Sequence, residues 1–124
     1  MSLKERRVAS NKRLKPRTQT ANLLSYTVTD DDNNVVEQGM GRTLNISEGG
    51  MLLETHVAID TEFTIDITIA FEEEILKLRG RIIRSAKRED GKFESGIQFM
   101  EMGDEINNLL KQYVVLFKGQ EGDD

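Results

Sequence analysis

The chain has 124 residues, of which 31% are charged and 37% hydrophobic, and its formal net charge is -5. That length holds one small domain with tails and a modest core, and a second domain is not expected. With no cysteine and a single histidine, His56, the chain offers no disulfide, thiol nucleophile, thiolate metal site or His-rich cluster.

The charge is unevenly distributed. Residues 1–17 carry Lys4, Arg6, Arg7, Lys12, Arg13, Lys15 and Arg17 against Glu5 alone, a net +6, which leaves -11 on the remainder. A basic arm therefore precedes an acidic body. The arm could meet phosphates, an anionic surface or the acidic body itself. The body argues against broad nucleic-acid binding, because a duplex-binding domain presents a basic face to the phosphates. No run approaches the roughly 20 apolar residues of a membrane span, and the N-terminus lacks the apolar stretch of a signal peptide, so a soluble, cytoplasmic protein is expected.

Residues 1–21 lack apolar periodicity and are rich in long charged side chains, so burial cannot offset the entropy of ordering them. A mobile arm is expected there in the absence of a ligand. Pro16, the sole proline, biases Lys15 toward an extended conformation ahead of Arg17. Leu23 to Val28 begins a strand that the Asp30–Asn34 cluster ends as a turn. Val35 to Leu44 reads as a second strand, with Gly39 and Gly41 suggesting a bulge or a close backbone approach.

Next comes a six-residue turn, Asn45-Ile46-Ser47-Glu48-Gly49-Gly50, and an extended run from Met51 to Thr55. An amide, a hydroxyl and two glycines suit either an ordinary hairpin turn or a loop whose backbone comes close to a ligand. Phe63 to Phe71 alternates strictly, with apolar odd positions, as a strand with one face in the core does. Glu72 to Glu74 is expected as a solvated turn, and Ile75 to Ser85 as a strand containing Leu76, Leu78, Ile82 and Ile83. Arg88-Glu89-Asp90-Gly91 reads as a hairpin connection, followed by a strand from Phe93 to Met100.

The period then changes. Ile106, Leu109, Leu110, Tyr113, Val114 and Phe117 recur at spacings of three and four, predicting an amphipathic helix capped by Asp104 and ended by Gly119. Six or seven short strands and a terminal helix predict an antiparallel barrel or sandwich covered by that helix. The expected organisation is an arm over residues 1–21, the barrel and helix over 22–118 and an acidic tail over 119–124.

Arg13 and Arg17, four residues apart just before the first strand, can converge on one small ligand if the path between them is extended. Guanidinium groups bind phosphate oxygens bidentately and stack on bases, which suits a ligand combining phosphates and purines. On composition alone the pair reads as a solvated basic tail. His56, outside any metal-ligand spacing, is expected at the surface, and Ile106 to Phe117 as core packing.

An Arg-x-x-x-Arg segment before the first strand, followed by an Asp/Asn-x-Ser-x-x-Gly turn, resembles the PilZ domain, a bacterial receptor for the second messenger cyclic di-GMP. Here the motifs are Arg13 to Arg17 and Asn45, Ser47 and Gly50, with Gly96-Ile97-Gln98-Phe99 and the closing helix extending the likeness over most of the chain. The resemblance implies a six-stranded antiparallel β-barrel with a C-terminal α-helix. It also implies an arm that folds over cyclic di-GMP, with Arg13 and Arg17 as the clamp on phosphates and guanines and Asn45, Ser47 and Gly50 as the turn reading a guanine edge. Gly49 lies beside them, and Lys12 adds a cation that would favour a second, stacked ligand molecule. Asn45 stands where Asp is common, and its amide offers a donor as well as an acceptor. The implied function is a non-catalytic cyclic di-GMP receptor that signals to a protein partner, with no metal and no further cofactor. A PilZ-like adaptor that binds no nucleotide is the first alternative. The second, a small barrel using its basic arm on nucleic acid, requires exposed aromatic stacking residues. An enzyme reading lacks a set of nucleophile, base and orienting group.

Overall fold

The computed structural model describes residues 22–121, which form six strands and one helix. The strands are β1 (Leu23–Thr29), β2 (Val35–Ile46), β3 (Gly50–Thr55), β4 (Thr64–Phe71), β5 (Glu74–Lys87) and β6 (Phe93–Phe99), and the helix is α1 (Asp104–Glu121). They close into an antiparallel barrel in the order β1-β2-β3-β6-β5-β4, as the resemblance implies. Closure pairs every strand on both sides and removes the open edges that a six-stranded sheet would expose. The expectations placed on Lys12, Arg13 and Arg17 lie outside the described residues.

Alternation decides which residues face inward. In β4 Ile65, Ile67, Ile69 and Phe71 are buried, and in β1 Leu24, Tyr26 and Val28 are, as the period of two predicts. Leu110, Tyr113 and Phe117 of α1 join the same core, and the Tyr113 ring lies 5.3 Å from Phe71 and 6.2 Å from Phe117. The Tyr113 hydroxyl donates to Thr43 Oγ1 at 3.3 Å, tying the helix to β2. Burial pushes the Tyr113 phenol pKa up, against the opposing effect of that hydrogen bond. His56 is exposed, as expected.

Several boundaries depart from the sequence expectation. The helix begins at Asp104, and Asn107 N donates to the Gly103 carbonyl at 3.0 Å, so the capping position is Gly103 and Asp104 lies in the first turn, where its charge suits the helix dipole. Gly119 does not end α1, which continues to Glu121; the left-handed conformation that makes glycine a helix terminator occurs among the described glycines only at Gly91. Glu74 belongs to β5, where it pairs with Phe71, rather than to the preceding turn. Gly41 is a site of close approach, since a Cβ there would lie 2.6 Å from the Glu54 carbonyl oxygen.

Besides the irregularity between β1 and β2 that makes Val36 an extra residue, two bulges interrupt the ladders. Between β2 and β3 the register passes from Thr43↔Leu53 to Asn45↔Leu52, which makes Leu44 an extra residue. Between β5 and β6 it passes from Ile82↔Ile97 to Arg84↔Gly96, which makes Ile83 extra. Ile83 is 48% exposed, in phase with the outward odd positions of β5, and the phase changes after it. Each bulge reverses the inward and outward sense of the residues that follow.

At the β5–β6 turn Arg88 contacts Asp90 at 2.6 Å, Glu54 at 2.7 Å and Glu94 at 3.3 Å, and Arg42 reaches Glu54 from the other side at 3.1 Å. The two guanidinium groups cover a glutamate that is only 5% exposed. The side-chain hydrogen bond from Arg88, reinforced by the Lys92 amide, lowers the Asp90 carboxyl from 3.8 to about 2. A carboxyl depressed on folding contributes stability above its unfolded value and loses it as pH falls through the folded one. The difference in melting temperature between wild type and Asp90→Asn is therefore expected to narrow as pH falls from about 4 to about 2. A difference that stays constant across that window in thermal scans would rule out this role for Asp90.

Candidate ligand site

The first bulge sets the orientation of Asn45. In β2 Gly41 and Thr43 are buried, and unbroken alternation would turn Asn45 inward as well. The extra Leu44 leaves Asn45 exposed and Ile46 in the core at 2% exposure. The second bulge does the same on β5, where Leu76, Leu78, Gly80 and Ile82 are buried but Arg84 is exposed. Because β3 and β5 both flank β6, these re-aimed side chains come to one face of the barrel.

The turn is shorter than the sequence suggests. Asn45 and Ile46 end β2 and Gly50 starts β3, leaving Ser47, Glu48 and Gly49 between them. Ser47 N donates to the Gly50 carbonyl at 2.9 Å, the Ser47 hydroxyl reaches the same oxygen at 3.4 Å, and Gly49 N donates to Ser47 Oγ at 3.3 Å. Ser47 thus closes the turn on itself. Asn45 Oδ1 accepts from Ile46 N at 2.9 Å, which leaves one further lone pair and the two Nδ2 donors for a ligand.

The two glycines have different roles, and neither has a positive φ. A Cβ on Gly50 would collide with the Ile97 carbonyl oxygen, so Gly50 is needed for β3 to approach β6. A Cβ on Gly49 would meet nothing within 4 Å. Its carbonyl accepts from Phe99 N at 3.0 Å, which anchors the turn to the end of β6.

Asn45, Ser47, Gly49 and Gly50 all line an open cavity of about 490 Å³, a volume suited to a nucleotide-sized ligand. Its far side is formed by Ile83 and Arg84 of β5, Gly96 and Gln98 of β6, and Lys118 near the end of α1. Among the described residues the lining contains two cations and no carboxylate. On a body whose charge is otherwise strongly negative, this is a local reversal favouring an anionic ligand. Amide and hydroxyl groups from Asn45, Ser47 and Gln98 add hydrogen-bonding capacity, while Ile83 and Leu52 supply apolar surface.

Arg84, Gly96, Gln98 and Lys118 were not singled out as site residues by the sequence reading. Arg84 and Gly96 carried a weak signal: adjacent Ile82 and Ile83 break the alternation of β5, and Gly96 is a glycine inside a strand. Lys118 had none, because only the docking of α1 brings it there. Among the described residues, a second cavity of about 270 Å³ is lined by Asp66, Lys77, Arg79 and Glu101 among others, a mixed set in which Asp66 holds Arg79 at 2.8 Å. No group of acidic or histidine side chains among the described residues could hold a metal ion, and no described helix is long and apolar enough to cross a membrane.

The PilZ domain family model matches residues 11–116, a span containing Lys12, both arginines and the turn. The fold is similar to the PilZ domain of YcgR from Escherichia coli, solved with c-di-GMP, at TM-score 0.61 and 12% identity, with 80% of this chain and 84% of that one covered. It is also similar to the PilZ domain of CeSA from a cellulose-synthesizing bacterium, at TM-score 0.54 and 17% identity, over 79% of this chain and 95% of that one. The Bacillus subtilis inhibitor of motility MotI/DgrA matches at TM-score 0.58 and 16% identity, over 85% of this chain but 50% of its own. These identities establish likeness of fold alone. Pairwise comparison with curated proteins finds no match. With a family match over most of its length and the barrel and closing helix that the family's structures share, the chain belongs to the PilZ domain family.

Proposed function

We propose that this PilZ domain is a non-catalytic receptor that binds cyclic di-GMP in the cavity beside the β2–β3 turn and passes the signal to a protein partner. The observation that carries the reading is the cavity lining among the described residues: two cations, no carboxylate and several amide and hydroxyl groups on an otherwise acidic body. A dinucleotide with two phosphates and two purines matches that chemistry, and the family and the cyclic di-GMP held by the E. coli YcgR domain point to the same ligand. Asn45 and Ser47 would read a guanine edge, with Gly49 leaving room for close approach.

Arg13 and Arg17 would complete the site from the N-terminal segment, holding the phosphates opposite Arg84 and Lys118, with Lys12 adding attraction. Ligand binding would then fix the segment against the barrel and change the surface offered to a partner. Amide hydrogen exchange of residues 4–20 is expected to slow at saturating cyclic di-GMP; exchange unaltered by the ligand would remove this closing step.

Calorimetric titration with cyclic di-GMP tests the receptor reading. Binding is expected, and should weaken as salt is raised because charge complementarity drives it. Absence of binding at low salt would sink the receptor and leave a PilZ adaptor acting without nucleotide. All seven aromatic side chains lie among the described residues and are buried or half-buried, so no exposed ring offers the stacking platform of a nucleic-acid-binding barrel. Ser47→Ala removes two long hydrogen bonds of the turn and is expected to cost about 0.5–1 kcal/mol of binding, less than loss of either Arg13 or Arg17. A larger loss would mean that the turn, and not the arginine pair, dominates affinity.

A further inference from the structure

Of the five arginines among the described residues, four are committed to carboxylates: Arg42 to Glu54, Arg79 to Asp66, Arg81 to Glu62, and Arg88 to Glu54, Asp90 and Glu94. Arg84 forms no ion pair or hydrogen bond with a described residue, although the body it sits on is strongly acidic. A cation with no partner among the described residues, turned outward by a bulge, is available to an anionic or aromatic ligand.

Its position is built by two local features. The extra residue Ile83 reverses the facing of Arg84, and Gly96, its partner on β6, leaves space beneath the side chain. A Cβ at Gly96 would come within 3.1 Å of Arg84 Nε and 3.2 Å of its Cγ, tighter than ordinary contact. The arginine stem and Nε therefore lie across the bare backbone of β6 and do not stand away from it. Ile83 Cγ1 is 3.6 Å from the same point and supports the stem from the side. A guanidinium held low over a strand, with apolar groups beside it, is arranged to offer its flat face to a planar ring. Such a group is also weakly hydrated, so stacking desolvates it at little cost.

Resting on the reading of this cavity as the cyclic di-GMP site, we propose that Arg84 is an additional ligand-contacting residue of this chain. Its guanidinium stacks on a guanine face, placed there by the Ile83 bulge and the missing side chain of Gly96. Lys118, at the other edge of the cavity, contributes charge toward the phosphates. The consequence is that purine recognition would draw on the β5–β6 face as well as on the β2–β3 turn.

Titration calorimetry with cyclic di-GMP on wild type, Arg84→Ala, Arg84→Lys, Gly96→Ala and the Gly96→Ala/Arg84→Ala pair tests this, with circular dichroism confirming that each variant is folded. Arg84→Ala is expected to weaken binding roughly tenfold, and Arg84→Lys, which keeps charge without the plane, to recover less than half of that loss on a logarithmic scale. Gly96→Ala should weaken binding by displacing Arg84, and should add nothing when Arg84 is already alanine. Wild-type binding with an unaffected Arg84→Ala overturns the inference and leaves the cavity reading intact. Full recovery in Arg84→Lys overturns stacking, and additive losses in the pair overturn the role of Gly96 as its bed. Wild type that does not bind overturns the cavity reading and this inference with it.

Discussion

Replacing both Arg13 and Arg17 with alanine is expected to reduce cyclic di-GMP binding below detection, and each single replacement to cost on the order of 1–3 kcal/mol, about five- to 150-fold. The β2–β3 turn offers Asn45 and Ser47, which are neutral, and the far wall offers Arg84 and Lys118. Two phosphates cannot be neutralised fully from that wall while the rest of residues 18–124 carries a large negative excess. Guanidinium groups from the other side would supply the missing charge in bidentate form, so lysine substitutions should recover only part of the loss. If the double variant bound as wild type does, the two-part site would be wrong and the cavity wall alone would account for affinity.

Gly50→Val is expected to destabilise the fold by about 1–3 kcal/mol or more, lowering the melting temperature by about 4–8 °C for each kcal/mol. Gly50 pairs with Gln98, and a Cβ there would strike the Ile97 carbonyl oxygen, which is backbone and cannot rotate away. Relief requires β3 to separate from β6, and that separation would widen the cavity and disturb the turn anchored by Phe99 N. Gly49→Ala is the matching control, because a Cβ at Gly49 meets nothing within 4 Å. It should leave thermal stability within about 0.5 kcal/mol of wild type, as surface substitutions away from special features do. Equal destabilisation by the two changes would mean that turn conformation, and not the approach of β3 to β6, explains the glycine at position 50.

The contrast between these glycines marks what the sequence could reveal. Two adjacent glycines beside a serine were legible as a turn, but only the paired strand shows that one of them is needed for strand contact. Strict alternation in Phe63–Phe71 and the three–four spacing of Ile106–Phe117 announced β4 and α1, because one periodicity governs each element from end to end. The bulge at Leu44 was hidden because Thr43-Leu44-Asn45-Ile46 still alternates polar and apolar, and the one at Ile83 left only a doubled isoleucine as its trace. They matter most, since they turn Asn45 and Arg84 outward. The hairpin motif of the site is local and could be read from Asn45, Ser47 and Gly50. Its opposite wall is assembled by barrel closure, which brings β5, β6 and the end of α1 to residues more than 30 positions away in sequence. The Arg88–Glu54 network is likewise non-local, and together with the Arg79–Asp66 and Arg81–Glu62 pairs it leaves Arg84 as the described arginine with no described partner.

On the proposed reading, cyclic di-GMP occupies the cavity bounded by the β2–β3 turn and the β5–β6 face. Backbone amide chemical-shift mapping during titration with cyclic di-GMP tests it most directly. Saturable shifts are expected for Ser47 to Leu52 and for Arg84, Gly96, Gln98 and Lys118, with residues around Asp66, Arg79 and Met102 little affected. Shifts confined to that second cavity, or none at all at saturating ligand, would contradict the account.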